Sequence, residues 1–270
     1  MHETNDSRTS FIGLAVVLFL FALFYSAPSR AYDACFEQWF CVTLEPKNNE
    51  YNVVLQRISP YPVVVTLDNI PNTKRGDKRT FQLSDNLPIV VTTTSSSRRF
   101  WRAMTARWTA GVLNAKHDTQ AKYYYPGESR QRFRIVQGFN GGFSHRGPDK
   151  YAVDIAMPVG TPIYAARGGE VIATEARHNK GGASSRYGKY ANYIIILHDD
   201  NTTGEYFHLM QNGVAVEKGQ RVKTGEMIGY SGNTGFSSLP HLHFGVYYAK
   251  AKGKYQSVPF SFAQYRRKHN

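Results

Sequence analysis

The sequence predicts an all-β protein built from two β-rich modules, and three observations support this fold class. Short runs of β-branched and aromatic residues recur along the chain. Turn-forming Gly, Pro, Asn and Asp residues separate these runs, as they do between short strands. The second half contains no amphipathic pattern of helical length. With 270 residues, the chain is long for one domain and comfortable for two.

The N-terminal module is predicted to span residues 32–122 and to form a small sandwich or barrel. Its candidate strands cover 41–44, 51–58, 61–67 and 87–91. Residues 100–112 fit either a strand or a helix. The aromatic residues Phe100, Trp101 and Trp108 in this stretch could bind sugar, but in a β-rich module such side chains more often belong to the core.

The second module is predicted to span residues 123–262, where glycines become dense, and a basic tail of residues 263–270 follows it. Glycine supplies the backbone conformations that tight turns between strands need. A basic stretch rich in glycine and serine, residues 177–189, is long enough to be a mobile loop over a groove. The candidate strands of this module cover 133–137, 152–156, 162–165, 169–175, 190–198, 204–209, 227–230 and 241–247.

The chain is strongly basic, with 33 Lys and Arg residues against 20 Asp and Glu residues and a formal net charge of +13. A surface with this excess attracts polyanions. Anionic cell-wall polymers and lipid head groups both feel such a field, so an association with an anionic envelope surface is expected. No helix-turn-helix, zinc-finger or RNA-reading aromatic motif occurs, and we expect no nucleic-acid partner. The sequence does not indicate an oligomeric state.

Residues 1–31 have the pattern of a secretory signal peptide. Arg8 precedes an uncharged apolar run over residues 11–27, and the small residues Ser29 and Ala31 precede a cleavage point. We therefore expect export to the periplasm or the extracellular space. The alternative is an uncleaved membrane anchor, because an apolar run of this length can just span a bilayer.

The only two cysteines of the chain, Cys35 and Cys41, follow directly after the proposed cleavage point. In an oxidising compartment two such neighbouring thiols pair as a disulfide. A metal site built on them would need further ligands close by, and no histidine lies near them in sequence. We therefore expect a short-loop disulfide near the mature N-terminus.

The strongest local signal is the pentapeptide Pro-His-Leu-His-Phe at residues 240–244, at the start of a strand pattern. Because side chains alternate between the faces of a strand, His241 and His243 project from one face while Leu242 and Phe244 face the core. Two imidazoles side by side can share a metal ion or divide into one ligand and one acid-base group. An isolated His-x-His pair would otherwise be two surface histidines.

A second signal lies in residues 144–158, where Ser-His-Arg-Gly precedes an alternating strand pattern with one acidic residue. Asp154 shares its face of this strand with Ala152 and Ala156, whose small side chains leave room around the carboxylate. A carboxylate in such an apolar strand is costly to bury unless it is paired or binds a cation. A salt bridge to a nearby Lys or Arg is the alternative.

Zinc chemistry connects the two signals, because a catalytic zinc site has three protein ligands and one open position for water. His145, Asp154 and His243 offer two imidazoles and one carboxylate. His208 and His241 are the candidates for moving the proton. No His-Glu-x-x-His occurs, so helical zinc proteases are excluded, and the local motifs of serine and cysteine nucleophiles are also absent.

From about residue 137 to residue 247, the chain resembles the lysostaphin-type, LytM-like zinc endopeptidases. The resemblance rests on Pro-His-Leu-His-Phe at 240–244 and on Asp-x-x-Met-Pro-x-Gly-Thr-Pro at 154–162. Four shorter motifs support it: Ala-Ala-x-x-Gly-x-Val at 165–171, His-Leu at 208–209, Val-x-x-Gly-x-x-Val-x-x-Gly at 216–225 and Ile-Gly-x-Ser-Gly-x-Thr-Gly at 228–235. Their order and spacing cover most of the second module.

This resemblance implies an antiparallel β-sheet catalytic domain with a narrow groove, a single Zn2+ ion and hydrolysis of peptide bonds in bacterial peptidoglycan. By position, His145, Asp154 and His243 match the metal ligands of the family. His208 and His241 match its two non-ligand histidines, which are thought to activate water and to stabilise the developing oxyanion. The division of these two roles stays open.

One departure concerns the first ligand. The interval from His145 to Asp154 is longer than the plain His-x-x-x-Asp spacing, in which Lys150 would occupy the first position. His145 is preferred because a lysine is normally protonated at neutral pH. A loop inserted between two ligands does not alter the chemistry of the site.

The sequence therefore predicts an exported zinc endopeptidase that cuts the stems or cross-links of peptidoglycan, with the N-terminal module positioning or shielding the site. The alternative from a different class is a catalytically silent relative that binds peptidoglycan or regulates another wall hydrolase through the same groove. Such a protein is expected to have lost ligands, whereas all five matched positions hold chemically competent residues.

Overall fold

The structure is a computed structural model that describes residues 33–70, 79–128 and 133–263. The predicted signal segment, residues 1–31, lies outside the described residues, as does all of the predicted basic tail after its first residue. Within the described part of the chain, no helix is both long enough and apolar enough to cross a membrane.

The N-terminal half forms short strands and one helix: β1 (Asp33–Phe36), β2 (Phe40–Lys47), β3 (Glu50–Arg57), β4 (Val63–Asp68), β5 (Thr80–Leu83), β6 (Ile89–Thr94), α1 (Ser97–Ala103) and β7 (Thr105–Ala110). The strands make an antiparallel four-stranded sheet in the order β1-β2-β3-β6 and an antiparallel three-stranded sheet in the order β5-β4-β7. Helix α1 begins after Ser96, whose side chain accepts a hydrogen bond from the Arg99 N–H at 3.3 Å.

The C-terminal half is built on one large sheet. Its strands are β8 (Ile135–Gln137), β9 (Val153–Ile155), β10 (Pro162–Tyr164), β11 (Gly169–Glu175), β12 (Gly181–Gly182), β13 (Tyr193–Leu197), β14 (Thr203–Phe207), β15 (Arg221–Val222), β16 (Met227–Tyr230), β17 (Gly235–Phe236), β18 (Leu242–Lys250) and β19 (Lys254–Ser257). The large sheet runs β15-β11-β13-β14-β18-β9-β8, and β19 also pairs with β18. Two short 3-10 turns cover Gly147–Asp149 and Ser185–Tyr190.

All pairs within the large sheet are antiparallel. Outside this sheet, β10 pairs antiparallel with β16, while β12 pairs parallel with β17. These elements confirm the predicted all-β fold class and most of the predicted strands. The parallel pair ties the basic stretch of residues 177–189 to the segment that precedes the His-x-His motif.

Two parts of the strand prediction need correction. The ambiguous residues 100–112 contain both alternatives, because α1 ends at Ala103 and β7 begins at Thr105. The prediction also missed six short strands: β1, β5 and β19, with four residues each, and β12, β15 and β17, with two residues each. Two residues are too few to show an alternating pattern.

The aromatic residues of the N-terminal half contribute to its core, as expected. Phe100 is fully buried, and Trp101 packs edge-on against it with ring centroids 5.0 Å apart. Trp108 packs edge-on against Phe36 and Phe40, at 5.6 and 5.8 Å. Edge-to-face contacts of this kind add to the free energy gained by burying the rings. These side chains therefore stabilise the module and do not form an exposed sugar-binding surface.

The large sheet packs different cores on its two faces. One face buries Ile194 and Ile196 of β13 together with Phe244 of β18 in the core of the C-terminal half. On the other face, Ile172 of β11 and Ile195 of β13 join the core of the N-terminal half. Because neighbouring residues of a strand point to opposite faces, β13 serves both cores at once. The N-terminal half therefore covers this second face at β11 and β13.

A row of five side chains continues along the second face beyond the covered part. The strand registers pair Glu175 with Tyr193, Tyr193 with Phe207, Phe207 with His243, and His243 with Asp154. Residues directly opposite each other on neighbouring strands share one face of a sheet. The row therefore forms a continuous floor from β11 to β9.

The β18–β19 hairpin connects the large sheet to the N-terminal half. The Lys252 N–H donates to Thr66 Oγ1 at 2.8 Å, and the Thr109 hydroxyl donates to the Lys254 carbonyl at 3.0 Å. Both contacts join residues far apart in sequence. They fix the hairpin to β4 and β7.

Cys35 and Cys41 form a disulfide bond, as predicted. They lie directly opposite each other in the β1–β2 pair, so the bond closes the hairpin between these strands. Among the described residues no cysteine is free. The disulfide therefore ties β1, the first described strand, to the four-stranded sheet.

His198 is a buried histidine that follows β13 and is only 2% exposed. Its Nδ1–H donates to the Gly168 carbonyl at 2.8 Å, and its Nε2 has no hydrogen-bond partner among the described residues. Burial lowers the pKa of His198 to about 4. Between this pKa and the ordinary value of about 6.5, the unfolded chain binds a proton that the folded chain does not.

We expect this difference to reduce the free energy of unfolding by about 3 kcal/mol as the pH falls from 6.5 towards 4. His198→Asn removes the group and should flatten the pH dependence. Urea unfolding at about pH 7 and about pH 4.5 measures the effect. His178→Asn, which alters a histidine outside the core, is the control and should keep the slope of the wild type. Equal slopes for wild type and His198→Asn would contradict this prediction.

Candidate metal centre

Strands β9 and β18 place a carboxylate and an imidazole next to each other. Asp154 and His243 are directly opposite in the antiparallel register, and Asp154 Oδ1 lies 2.9 Å from His243 Nδ1. On the reverse face of the same strands, Val153, Leu242 and Phe244 are buried in the core. Because side chains alternate along a strand, burying these apolar residues directs both polar side chains to the outer face.

His145 completes this group from the loop between β8 and β9. Its ring is fully buried, and its Nδ1–H donates to the Gly138 carbonyl at 2.9 Å. A carbonyl only accepts hydrogen bonds, so His145 Nε2 keeps its lone pair. This Nε2 lies 3.1 Å from Asp154 Oδ1 and 3.4 Å from His243 Nδ1. Lys150, the other candidate for this position, is exposed.

The three groups fit a single divalent ion. Their closest atoms, His145 Nε2, Asp154 Oδ1 and His243 Nδ1, are 2.9 to 3.4 Å apart. A tetrahedral zinc ion with bonds of about 2.0–2.1 Å places its ligands about 3.3 Å from one another. Two imidazoles and one carboxylate are also a donor set that catalytic zinc sites use, with the fourth position open. The structure thus brings the three predicted ligands together in a geometry that suits zinc.

Asp154 carries a negative charge in this environment. Burial raises the pKa of its carboxyl, but contact with the imidazoles of His145 and His243 lowers it more, so the net pKa lies far below the ordinary value. The Gln137 side-chain amide donates to the second oxygen, Oδ2, at 2.8 Å. This contact leaves Oδ1 facing the two imidazoles and fixes the orientation of the carboxylate.

His208 and His241 stand beside the three groups, with their ring centroids 4.6 Å apart. Each donates its Nδ1–H to a backbone carbonyl, His208 to Thr234 at 2.6 Å and His241 to Leu239 at 2.7 Å. Each therefore keeps an unprotonated Nε2. The Nε2 of His241 lies 3.6 Å from Asp154 Oδ1. The structure thus brings all five predicted site residues together.

Both of these histidines are neutral near pH 7. Burial lowers the pKa of His241. Burial also lowers the pKa of His208, to about 3, with a further contribution from the neighbouring His241 and His243. A neutral imidazole can accept a proton, which is the state that a general base requires.

His208 adopts a left-handed backbone conformation, with φ of +68°, directly after β14 ends. A residue other than glycine in this region costs about 1–3 kcal/mol and persists where surrounding contacts enforce it. Asn192 supplies such contacts, because its side-chain amide donates to the carbonyls of Leu209 and Met210, each at 3.2 Å. Asn192 is fully buried. The fold thus holds His208 in a strained position at the site.

A cavity of about 160 Å³ opens over these groups. Its floor is lined by Asp154, His208, His241 and His243. Its walls include Phe143, Phe236 and Leu239, and the rings of Phe143 and Phe236 are 5.5 Å apart. Phe143 is 62% exposed and Leu239 is 41% exposed, so apolar surface faces the opening. This cavity lies where the sequence predicts a groove.

Residues 148–257 match the family described as Peptidase family M23. Over these residues the chain is similar to the M23 peptidases. Asp154, His208, His241 and His243 fall inside the matched range, and His145 lies just before it. The resemblance seen in the sequence motifs is therefore confirmed.

Two curated proteins are similar in sequence to this chain. Peptidoglycan DD-endopeptidase ShyA of Vibrio cholerae is 36% identical over 124 residues, which cover 44% of this chain and 26% of that protein. Glycyl-glycine endopeptidase ALE-1 of Staphylococcus capitis is 38% identical over 108 residues, which cover 40% of this chain and 25% of that protein. The chain therefore spans about a quarter of the length of these relatives.

Among solved structures, lysostaphin from Staphylococcus simulans is similar over 51% of this chain and 52% of that chain, with 27% sequence identity and a TM-score of 0.37.

Some contacts of the candidate site were not predicted from the sequence. Gln137 orients Asp154 through a side-chain amide, and the only signal for this role is the pairing of β8 with β9. The Gly138 carbonyl orients His145, and the Thr234 carbonyl orients His208. Every residue has a backbone carbonyl, so residue type does not reveal this role. His178 lies 3.8 Å from Glu175 and outside the metal group.

We expect the protein to bind one zinc ion at this site. His145→Ala should weaken that binding by more than about a hundredfold, because one of three ligands is lost. Lys150→Ala is the matched control and should bind zinc as the wild type does. Competition with a chromophoric chelator gives both dissociation constants. The reverse result, with Lys150→Ala defective and His145→Ala normal, would move the first ligand to the other position.

Proposed function

We propose that this chain is a zinc-dependent endopeptidase that hydrolyses peptide bonds in the stems or cross-links of bacterial peptidoglycan. One observation carries the proposal: two imidazole nitrogens and a carboxylate oxygen converge within 3.4 Å of one another, and two further histidines stand beside them. The M23 match and the activities named for the relatives support the same reaction class.

In this proposal His145, Asp154 and His243 hold one Zn2+ ion. When bound there, the ion supplies Lewis acidity, which polarises a peptide carbonyl and makes water more acidic. The chain contributes the orientation of the three donors. The Gly138 carbonyl fixes the ring of His145, and the Gln137 amide fixes the carboxylate, so the donors meet without rearrangement.

His208 and His241 move the proton of hydrolysis. Attack of water on a peptide carbonyl releases a proton, and the departing amine must gain one. Each histidine presents an unprotonated Nε2 near pH 7 and can accept that proton. Once protonated, the same nitrogen becomes a donor and can stabilise the oxyanion or protonate the leaving amine. The carbonyls bound to their Nδ1 atoms keep both rings in place for these transfers.

The groove suits an extended peptide. Its floor is the outer face of a β-sheet, where Tyr193 and Phe207 lead in a row towards His243. Its walls present the exposed apolar side chains of Phe143 and Leu239. ShyA is named as a peptidoglycan endopeptidase, which supports a wall peptide as the substrate class, and ALE-1 is named for a peptide-bond cleavage.

We place the enzyme outside the cytoplasm, in the periplasm or the extracellular space. The disulfide between Cys35 and Cys41 supports this location, because disulfides persist in oxidising compartments. The net charge of +13 supports an association with anionic envelope polymers. Three exposed arginines of α1, Arg98, Arg99 and Arg102, offer a basic surface for that contact.

Purified peptidoglycan incubated with the zinc-loaded chain should release soluble peptide-containing fragments, and a chelator should stop the release. Mass analysis of the fragments identifies the bond that is cut. His208→Ala and His241→Ala should keep zinc but lower the rate by about 10²–10⁴-fold, the usual contribution of general acid-base catalysis. His178→Ala, in which the changed histidine lies outside the metal group, is the matched control and should keep the wild-type rate.

Two outcomes would overturn the proposed function. A chain that sediments with peptidoglycan but releases no fragments would be the catalytically silent binding protein. Fragment release that continues undiminished after zinc is removed would show that the five residues do not form the catalytic centre. The first outcome would mean that the chain binds peptidoglycan without hydrolysing it. The second would mean that the hydrolysis does not depend on zinc.

A further inference from the structure

The segment between His145 and Asp154 is longer than the plain ligand spacing, and the structure gives its added residues a defined place. Gly147–Asp149 forms a 3-10 turn. The Gln256 side-chain amide donates to the Gly147 carbonyl at 3.0 Å, and the Tyr151 N–H donates to Ser257 Oγ at 2.9 Å. Strand β19 therefore holds both ends of the turn against the sheet.

The turn brings Asp149 to the hydroxyl of Tyr247, which donates to Asp149 Oδ1 at 3.1 Å. Tyr247 lies on β18, on the same face as His243, and is only 1% exposed. Its hydroxyl reaches back along the strand and lies 3.0 Å from His243 Nε2. A hydrogen-bonded chain therefore runs from the added turn to a residue of the metal group.

The path of these hydrogen bonds depends on Gly245, which lies between Tyr247 and His243 on the same face of β18. A Cβ atom at this position would lie 2.5 Å from the Tyr247 ring, far inside van der Waals contact. The absence of a side chain at Gly245 is what lets the tyrosine lie back over the strand. An alanine there would push the hydroxyl away from His243.

The chemistry of the partners sets the direction of every hydrogen bond in the chain. An ionised carboxylate only accepts, so the Tyr247 proton points to Asp149. The Tyr247 oxygen then accepts the Nε2–H of His243. With the proton on Nε2, His243 Nδ1 carries a lone pair, and this is the atom 2.9 Å from Asp154 Oδ1. These hydrogen bonds therefore select the tautomer of His243 that can bind a metal at Nδ1.

We infer that Asp149 and Tyr247 are positioning residues that fix the ring orientation and the tautomer of His243, and that the residues added between His145 and Asp154 serve to deliver Asp149. This inference rests on the proposed metal site. Outer partners that hold the far nitrogen of a ligating histidine commonly contribute ten- to a hundredfold in metal affinity. The Gly138 carbonyl plays the corresponding part for His145.

The test compares zinc affinity in Tyr247→Phe and Asp149→Ala with the wild type, by competition with a chromophoric chelator. Both variants should bind zinc about 10–100-fold more weakly. The double variant should be no weaker than Tyr247→Phe alone, because both substitutions break the same chain. Tyr255→Phe, which alters a ring packed 5.3 Å from Tyr247, and Asp199→Ala, which removes an exposed carboxylate, are the matched controls and should keep the wild-type affinity.

A second measurement separates positioning from a merely structural role. Nitrogen-15 chemical shifts of the imidazole in the metal-free protein report which nitrogen of His243 carries the proton. The wild type should show protonation at Nε2, and Tyr247→Phe and Asp149→Ala should show a mixture of tautomers. A structural role alone would lower the melting temperature and leave both the tautomer and the zinc affinity unchanged.

The inference is overturned if both variants bind zinc within about twofold of the wild type and keep Nε2 protonated. Asp149 is half-buried at the end of a turn, so Asp149→Ala still gives a result if Tyr247→Phe does not fold. A wild type that binds no zinc would overturn the proposed metal site itself. A wild type that binds zinc, with variants that match it, would overturn only the positioning role.

Discussion

The antiparallel pairing of β9 with β18 is the interaction on which the site depends. It sets Asp154 directly opposite His243 on the outer face of the sheet, while Leu242 and Phe244 are buried on the reverse face. A shift of one residue in β18 would exchange these faces and bury the imidazole in place of an apolar side chain. Burial on one face of the sheet therefore fixes the polar geometry on the other.

On the face of the sheet that carries the site, one part packs against the N-terminal half and another part leads to the metal group. On β13, Ile195 joins the core of the N-terminal half, whereas Tyr193, two residues earlier on the same face, continues the row that leads to His243. The length of the open floor is thus set by how far the N-terminal half extends over the sheet. This arrangement gives a physical basis to the prediction that the N-terminal module positions or shields the site.

The sequence predicts much of this arrangement because its signals are local. The period of two at His241 and His243 and the apolar neighbours of Asp154 both follow from strand geometry. The place of His145 is less evident in the sequence because it depends on a loop and on the Gly138 carbonyl. Gln137 could not be recognised because its role arises only when β8 pairs with β9. The two-residue strands β12, β15 and β17 were missed because they are shorter than the pattern that reveals a strand.

The β18–β19 hairpin joins the two halves through the contacts of Lys252 with Thr66 and of Lys254 with Thr109. The strand that begins beside the metal group at Leu242 ends in this hairpin. A displacement of the N-terminal half would therefore act, through these two hydrogen bonds, on the strand that carries His243.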